Sequence, residues 1–354
     1  LLSSHNQDIL YMGSEFLQRS MNQGETWERI SGDLTNGAKE GNVAFGTIST
    51  ISESKFQFGL LYAGSDDGKI HVSKDGGVSW QLISGNLPQN LWVSRVVASS
   101  HKKERVYVTL NGYRNDNFES YAFVSEDFGA TWTSISNGLT QAVNVIVEDS
   151  ANENILYVGT DNGLFISVDK GANWQDFSNG MPKVAIHDAV IQTKAKELIV
   201  GTHGRSIYKM DISKVQELTK DVLAKNLHLF KVNDRTKSER WGSQNYAWGK
   251  PSEPSQTIWF YSNADGIVNV SITNEAGMLV HTQKVEAKKG LNSFAYDYLL
   301  SKEVAEKWNK KDKNIKIKEA ENKKFYLPVG KYKMTVSKDK VTETKSFEVT
   351  APKK

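Results

Sequence analysis

The chain has 354 residues and no cysteine, and its 44 Lys and Arg against 41 Asp and Glu give a formal net charge of +3. The lack of cysteine excludes disulfides and cysteine-ligated zinc, and the small charge argues against nucleic-acid binding, which needs a basic face or stripe. The length predicts more than one domain. Residues 1–20 contain neither a signal-peptide pattern nor a stretch that could span a membrane.

An eight-residue motif recurs four times in the first half of the chain. Its pattern is Ser-x-Asp-x-Gly-x-(Thr/Ser/Asn)-Trp, with Asn22 in place of Asp in the first copy. The copies occupy residues 20–27, 73–80, 125–132 and 167–174, so their tryptophans lie 53, 52 and 42 residues apart. A period in this range predicts a solenoid, a propeller or an array of repeats.

Each motif lies in the same order of short runs rich in Val, Ile, Tyr and Phe, with Gly, Asp and Asn between them, which is typical of strands and turns. The first runs of the repeats are residues 43–51, 91–98, 142–147 and 184–192. The second runs are residues 9–13, 60–64, 105–109 and 155–159. A third run leads into the motif and a fourth leaves it, and four short antiparallel strands form a β-propeller blade. Residues 197–211 repeat only the second and third runs and predict a partial closing blade.

The motif itself predicts a hairpin between the third and fourth strands of each blade. Asp or Asn accepts main-chain N–H groups of the turn, Gly takes a positive φ, and Trp packs on the neighbouring blade. We therefore expect a structural role, on the rim of the propeller, for these residues: Asn22, Trp27, Asp75, Trp80, Asp127, Trp132, Asp169 and Trp174.

The four motif copies resemble the Asp-box of bacterial neuraminidase repeats, and residues 1–211 resemble sortilin-like propellers. The phrase Gly-Thr-His-Gly-Arg-Ser-Ile-Tyr at residues 201–208 resembles the closing blade of large bacterial envelope proteins that are labelled glycosyl hydrolases because of their repeats. Propellers close with about four to eight blades. The resemblance therefore implies the C-terminal portion of a larger propeller, with the remaining blades upstream or on another chain.

Residues 212–254 are predicted to form a helical and irregular linker. Apolar residues at helical spacing within 212–230 predict a short connecting helix. Residues 231–254 are polar but contain Trp241, Tyr246 and Trp248, which indicates a loop held by aromatic rings. Packing at a domain seam and a carbohydrate platform are both compatible with this pattern.

Residues 255–354 are predicted to form a small β-sandwich, because alternating strands are joined by hairpin turns. The order of strands and turns resembles the immunoglobulin-like domain of flagellar hook-capping proteins. An insertion at residues 301–324 contains nine Lys against five Asp and Glu. We expect a solvated helix or loop there, with contact to an anionic surface as the alternative.

Candidate binding residues lie on the loops between the second and third strands and on neighbouring loops, at the axial face. This loop is short in three repeats but expands to residues 111–119 in the third, and binding residues concentrate on such loops. The candidates are Tyr113, Arg114, Asp116, Glu119, His187, Asp188, His203 and Arg205. Asp66 and Asp67 are expected to be turn residues. The sequence has no metal-ligand spacing and predicts no cofactor, although Asp-rich turns are compatible with structural Ca²⁺.

These features predict an all-β chain: a propeller of four Asp-box blades and a partial closing blade, followed by the immunoglobulin-like sandwich. The expected function is a non-catalytic binding or assembly module of a secreted, periplasmic or cell-surface bacterial protein. It would recognise protein, peptide or glycan through the axial face, without nucleic acid and without a transmembrane segment. The alternative is a glycoside hydrolase of the sialidase or xyloglucanase type, whose catalytic carboxylates lie mostly upstream of this chain.

Overall fold

The computed structural model describes residues 1–37, 46–178, 180–244, 246, 248–313 and 315–352. It divides into two compact units, Leu1–Glu217 and Leu218–Lys354. Both consist almost wholly of antiparallel sheets, and the predicted all-β fold of a propeller followed by a sandwich is confirmed. Within the described ranges, no helix is long and apolar enough to cross a membrane.

The first unit holds five propeller sheets within its described residues, and each is called a blade. Blade 1 contains β1 Leu10–Gly13, β2 Leu17–Ser20 and β3 Glu28–Arg29. Blade 2 contains β4 Ile48–Glu53, β5 Leu61–Ser65, β6 Ile70–Ser73 and β7 Gln81–Leu82. Blade 3 contains β8 Trp92–Ala98, β9 Val106–Gly112, β10 Asn117–Ser125 and β11 Thr133–Ser134. Blade 4 contains β12 Val143–Glu148, β13 Leu156–Thr160, β14 Gly163–Ser167 and β15 Gln175–Asp176, and blade 5 contains β16 Ile186–Gln192, β17 Glu197–Thr202 and β18 Ile207–Asp211. Of the predicted run at 43–51, residues 43–45 lie outside the described residues.

The second strands of blades 2, 3 and 4 are covered on both faces by the neighbouring blades. Every residue of β5, β9 and β13 is buried, so these strands are covered on both faces rather than on alternate residues only. Blades approach closely at this level, and a Cβ on Gly64 would lie 2.5 Å from Val93 Cγ1 of blade 3. Successive apolar clusters between blades form the core of this unit.

The four motifs form the hairpins that join the last two strands of blades 1 to 4, and we call them the repeat hairpins. In blade 3, Asp127 Oδ1 accepts from Ser125 Oγ at 2.7 Å and from the Thr131 main-chain N–H at 2.8 Å. Asp127 Oδ2 accepts from Thr131 Oγ1 at 2.7 Å, and Ser125 Oγ accepts from Gly129 N at 2.7 Å. Asn22 accepts from Thr26 N and Thr26 Oγ1 through its one amide oxygen, so its hairpin keeps the same turn.

The hairpin tryptophans join each blade to the one before it. The indole N–H of Trp80 donates to the Ile30 carbonyl at 2.9 Å, that of Trp132 to Ile83 at 2.8 Å, and that of Trp174 to Ile135 at 2.6 Å. The hairpin glycine lies against the same isoleucine, since a Cβ on Gly77 would lie 2.8 Å from Ile30 Cβ. Trp27 differs, because its indole donates to Gly24 of its own hairpin.

Two helical turns stand where one connecting helix was predicted: α1 Ser213–Gln216 and α2 Lys220–Leu223. The hydroxyl of Thr219 caps the second turn by accepting from Val222 N. A Thr at this position starts a new helical turn rather than continuing the first, which explains the difference.

The second unit is a β-sandwich. Its strands in chain order are β19 Leu227–Leu229, β20 Arg235–Thr236, β21 Gln256–Ser262, β22 Gly266–Asn274, β23 Leu279–Ala287, β24 Gly290–Tyr296, β25 Leu299–Leu300, β26 Phe325–Tyr326, β27 Gly330–Lys338 and β28 Val341–Thr350. One sheet has the order β19-β21-β24, the other has the order β20-β28-β27-β22-β23, and β25 pairs with β26. Their inner faces share one apolar core.

Two features of the sandwich refine the sequence-based interpretation. Trp241 is buried, with its ring centroid 5.5 Å from that of Tyr298, whereas Tyr246 and Trp248 stack on each other and are exposed. The lysine-rich insertion forms α3, Lys302–Lys311, which is only partly solvated because Trp308 is buried in the core. Residue 314 of the insertion lies outside the described residues.

Candidate binding site

The expanded loop of blade 3 is a fixed structure rather than a long open excursion. Strand β9 continues to Gly112, and a 3₁₀ turn, Tyr113–Asn115, follows at once. Asn111 orders the turn by accepting from Tyr113 N at 2.9 Å and by donating to Asn144 Oδ1 at 2.7 Å. Asp116 adopts a left-handed conformation with φ of 54° that ends the turn. The start of the loop is therefore fixed by Asn111, which also links blade 3 to blade 4.

Two aromatic rings and a guanidinium are gathered at this turn, and we call Trp92, Tyr113, Arg114 and Asp66 the Tyr113 cluster. The Tyr113 ring lies edge-on to Trp92, with centroids 6.2 Å apart. The Arg114 guanidinium carbon lies 5.4 Å from the Trp92 ring centroid, and Arg114 Nη1 lies 3.4 Å from Asp66 Oδ2. Tyr113 remains 47 % exposed, so the cluster presents an aromatic edge and a cation to solvent.

Electrostatics keep Arg114 charged and oriented. Its guanidinium donates to the Tyr113 hydroxyl at 3.4 Å. That hydroxyl, followed by the Asp66 carboxylate, raises the pKa of Arg114 against the opposing effect of burial. The side chain is therefore a permanent cation whose direction is set by its neighbours.

Asp66 and Asp67 lie in the turn between β5 and β6, where both were expected, and both are buried. Asp66 Oδ1 accepts from the main-chain N–H groups of Gly46 and Thr47, each at 3.0 Å. Asp67 Oδ2 accepts from Asn36 N at 2.7 Å. These two carboxylates accept hydrogen bonds from main-chain N–H groups on the connection between blades 1 and 2. Asp66 also forms an ion pair with Arg114.

The far end of the loop adds a second, shallower feature. Glu119 Oε2 accepts from the Tyr121 hydroxyl at 2.8 Å, and Phe118 is 59 % exposed. A cavity of about 490 Å³ adjoins them, lined by Phe118, Glu119, Ser120, Ser136, Leu139 and Thr140. An apolar ring beside polar groups is a common composition for a ligand pocket.

The remaining candidates form a separate group of contacts on blade 5. The rings of His187 and His203 lie 5.3 Å apart between centroids, and His203 is placed by its main-chain N–H bond to Ala185. Asp188 Oδ1 accepts from Arg95 Nη2 of blade 3 at 2.7 Å. Arg205 is exposed in the turn between β17 and β18.

Two residues of this region, Trp92 and Arg95, were missed by the sequence analysis. Both belong to β8, the first strand of blade 3, whereas the search considered loops. A signal was present, because Arg95 places a charge within the largely apolar run at residues 91–98. In the part of the chain that the structure describes, no group of three or more His, Asp or Glu could hold a metal ion.

The profile of the family described as "Sortilin, neurotensin receptor 3" matches residues 15–142. No curated protein matches the chain. Similar solved structures include the GH74 enzyme of Niastella koreensis, with 23% identity, 58% of this chain and 35% of that chain covered, and a TM-score of 0.45. The GH74 xyloglucanase from Xanthomonas campestris has 13% identity, 88% and 46% coverage and a TM-score of 0.47.

PorZ of Porphyromonas gingivalis, described as an essential bacterial surface component of the type-IX secretion system, is also similar. It has 15% identity, a TM-score of 0.45, and coverage of 98% of this chain and 51% of that chain. The chain therefore spans between about a third and a half of the length of these three proteins. At such identities the similarity concerns the fold alone.

Proposed function

We propose that this chain is a non-catalytic binding module of a secreted, periplasmic or cell-surface bacterial protein, and that the Tyr113 cluster is the centre of its binding site. The ligand is a protein, peptide or glycan. The observation that carries the proposal is the blade 3 loop, which is elaborated, fixed at its start by Asn111, and bears exposed aromatic and cationic groups.

Preorganisation supports this assignment. Tyr and Trp provide large contact areas with few rotatable bonds, so little conformational entropy is lost when they bind a ligand. Arg114 is already oriented by Tyr113 and Asp66. A ligand carboxylate or hydroxyl would meet a donor whose direction is set in advance, which reduces the cost of binding.

The roles of the carboxylates support binding rather than catalysis. A glycosidase needs two carboxyl groups about 5–10 Å apart that face a sugar. In this propeller Asp66 and Asp67 accept from loop N–H groups, and Asp188 pairs with Arg95. We infer that these acids stabilise the loops and strands of the propeller. The glycoside hydrolase alternative instead predicts that the chain, or the larger protein, hydrolyses a glycan.

The proposal also includes the other assignments made from the sequence. Asp116 and Glu119 extend the site along the loop, and His187, Asp188, His203 and Arg205 form a second contact area on blade 5. The repeat hairpins are Asp-boxes with a structural role, and the sandwich is an immunoglobulin-like accessory domain. The predicted module boundaries of 1–211 and 255–354 are revised in this proposal, because β19 and β20 of the predicted 212–254 linker pair within the sandwich sheets.

Binding and turnover can be measured on the same preparation. The chain would be applied to a printed array of xyloglucan oligosaccharides, sialylated glycans and overlapping peptides, and reducing-sugar release would be followed with the same glycans. We expect binding without release, and Tyr113→Ala should weaken the strongest interaction at least ~10-fold, which corresponds to about 1.4 kcal/mol.

The matched control is Val78→Ala, which also removes an exposed apolar side chain but lies in a repeat hairpin. It should leave binding unchanged. Equal losses in both variants would contradict the site. Sugar release that disappears when Asp188 is changed to Asn would favour the hydrolase.

A further inference from the structure

The third strand of blade 3 carries an irregularity that the other blades lack in their described residues. In β10, Asn117 lies opposite Gly112 of β9 and Tyr121 lies opposite Leu110, so residues 118–120 face a single residue of β9. The corresponding pairs of strands in blades 1, 2, 4 and 5 run without a shift of register. Bulges re-aim side chains and are common beside functional sites. We call residues 118–120 the β10 bulge.

The β10 bulge places consecutive side chains beside one cavity. In a regular strand, neighbouring residues point to opposite faces of the sheet. Here Phe118, Glu119 and Ser120 all line the same cavity of about 490 Å³, a volume within the range of small-ligand sites. Leu139 and two hydroxyl side chains complete the wall. The bulge is therefore what brings an aromatic ring and a carboxylate to the same cavity.

Hydrogen bonds hold the β10 bulge in this form. The Asn117 amide accepts from Glu119 N at 3.0 Å and donates to the Tyr121 hydroxyl at 2.9 Å. That hydroxyl donates to Glu119 Oε2 at 2.8 Å. Ser120 Oγ donates to the Gln141 carbonyl at 2.6 Å, which ties the bulge to the connection that leads into blade 4. A ligand would therefore meet a shape that needs little ordering, which lowers the cost of binding.

The two groups that the bulge brings together both attract a cation. Phe118 is 59 % exposed, and the face of an aromatic ring attracts a positive charge. Glu119 is exposed, and in the part of the chain that the structure describes its carboxylate bonds the Tyr121 hydroxyl rather than a Lys or Arg. Since a neutral hydroxyl does not cancel the charge of a carboxylate, the cavity presents negative potential beside an aromatic ring.

We propose that the β10 bulge is a subsite for the basic side chain, Lys or Arg, of a peptide ligand. The subsite depends on the proposed function, because it belongs to the binding site centred on the Tyr113 cluster. The aliphatic part of the ligand side chain packs on Phe118 and Leu139, and its cationic head meets Glu119. A neutral or sialylated glycan has no such cation, so the subsite selects a peptide among the ligands of the proposed function.

The Tyr113 cluster determines where a second charge of the ligand lies. Arg114 is a permanent cation, so an acidic group of the peptide binds most favourably there. Residues 114 and 118 are four positions apart, so their Cα atoms lie at most about 14 Å from each other. An extended peptide covers that distance with about four residues. We therefore expect the acidic and the basic residue of the ligand to lie no more than about four positions apart.

A synthetic peptide library tests this specificity. Each heptapeptide contains one Glu and one Lys at varied separation, and has a twin in which Nε-acetyl-lysine replaces Lys. Acetylation removes the charge and keeps the aliphatic stem. Binding to the chain is measured by fluorescence anisotropy. The best lysine peptides should bind at least ~10-fold more tightly than their twins, and the separations within about four positions should bind best.

Variants of the cavity show whether it is the source of the preference. Glu119→Gln keeps an acceptor for Tyr121 but removes the charge, so it should abolish the preference for lysine peptides. Phe118→Ala should weaken the lysine peptides at least ~3-fold. The matched controls Glu25→Gln and Phe56→Ala change an exposed carboxylate and an exposed ring in blades 1 and 2, and should leave the preference intact. A preference that persists in Glu119→Gln would overturn the inference.

Tyr113→Ala separates the subsite from the proposed function. If this variant weakens binding but lysine peptides bind no better than their twins, the proposed function stands and the basic subsite is overturned. Binding of glycans without any peptide has the same meaning. If Tyr113→Ala has no effect while Glu119→Gln abolishes the lysine preference, the subsite stands and the Tyr113 cluster is not the centre. Binding of neither peptides nor glycans would contradict both.

Discussion

The Tyr107 hydroxyl of blade 3 lies 3.0 Å from Glu148 Oε1 of blade 4. Ser99 Oγ donates to the same carboxylate, and Ser100 N donates at 2.6 Å. The identical arrangement joins blades 1 and 2, where Tyr11, Ser3 and Ser4 donate to Glu53. We call this arrangement the carboxylate clasp, and it joins alternate pairs of blades.

The interface between blades 2 and 3 lacks the clasp. Its tyrosine is Tyr62, and the position of the glutamate is occupied by Ala98. Among the residues that the structure describes, the buried Tyr62 hydroxyl has no hydrogen-bond partner. Burial raises the pKa of both Tyr62 and Tyr107, so both hydroxyls stay protonated, but only that of Tyr107 has an acceptor.

The first prediction compares these two tyrosines. Tyr107→Phe leaves the buried carboxylate with one donor fewer and should lower the free energy of unfolding by about 1–3 kcal/mol. Tyr62→Phe removes a hydroxyl that is buried without a partner and should be neutral or stabilising. Urea unfolding of the two variants provides the measurement, and equal losses would contradict the assignment of the clasp.

The second prediction concerns the carboxylate itself. Glu148→Ala leaves the Tyr107, Ser99 and Ser100 donors without an acceptor and should cost about 3 kcal/mol. Glu153→Ala is the matched control, because Glu153 bonds Arg105 at 3.1 Å but is 42 % exposed at its side chain. That change should cost less than about 1 kcal/mol, and a reversed order in urea unfolding would refute the prediction.

The third prediction concerns the hairpin tryptophans. Trp132 packs partly buried against the core between blades 2 and 3 and donates to Ile83. Trp132→Ala should therefore cost about 3 kcal/mol through lost packing, without touching the candidate binding site. Trp27→Ala in the same chain should cost under about 1 kcal/mol. If Trp132→Ala keeps the melting temperature and instead abolishes ligand binding, the structural role of the hairpin is wrong.

The fourth prediction is a dependence on pH. Hydrogen bonds from Ser79 first and Ser73 next lower the pKa of Asp75 to about 2, and bonds from Thr131 and Ser125 do the same for Asp127. Since the ordinary value for Asp is 3.8, these groups stabilise the fold above pH ~4 and lose that contribution as the pH falls toward 2.

Asp127→Asn tests the sign of this effect, because Asn22 shows that an amide can form the same hairpin. The difference in melting temperature between wild type and variant should favour wild type at pH 6 and shrink as the pH approaches 2. A difference that is constant over this range would show that Asp127 titrates alike in the folded and unfolded states.

Periodic features of the sequence predicted the fold well. The Gly and Trp of the hairpins in blades 2 to 4 mark a turn and an interface within eight residues, so the blades follow from local pattern alone. The carboxylate clasp was not predicted, because Glu148 and Tyr107 are 41 residues apart and their pairing depends on how successive blades stack. The burial of Trp241 against Tyr298 was not predicted for the same reason, because it depends on the order of strands in the sandwich.

The candidate site was predicted only in part for a related reason. The length of the loop at 111–119 identified Tyr113 and Arg114. The rings and charges that complete their surroundings come from other elements: Trp92 from β8 and Asp66 from blade 2. Such contacts depend on side chains that converge from different strands, and a linear pattern does not reveal them.

Hydrogen–deuterium exchange of the chain, with and without the strongest ligand from the peptide and glycan array, tests the central claim most directly. The account predicts slower exchange within residues 111–119 and at the adjoining end of β8 when the ligand is bound, and no change in the repeat hairpin at 73–80. Protection confined to the sandwich or to the hairpins, with residues 111–119 unchanged, would contradict it.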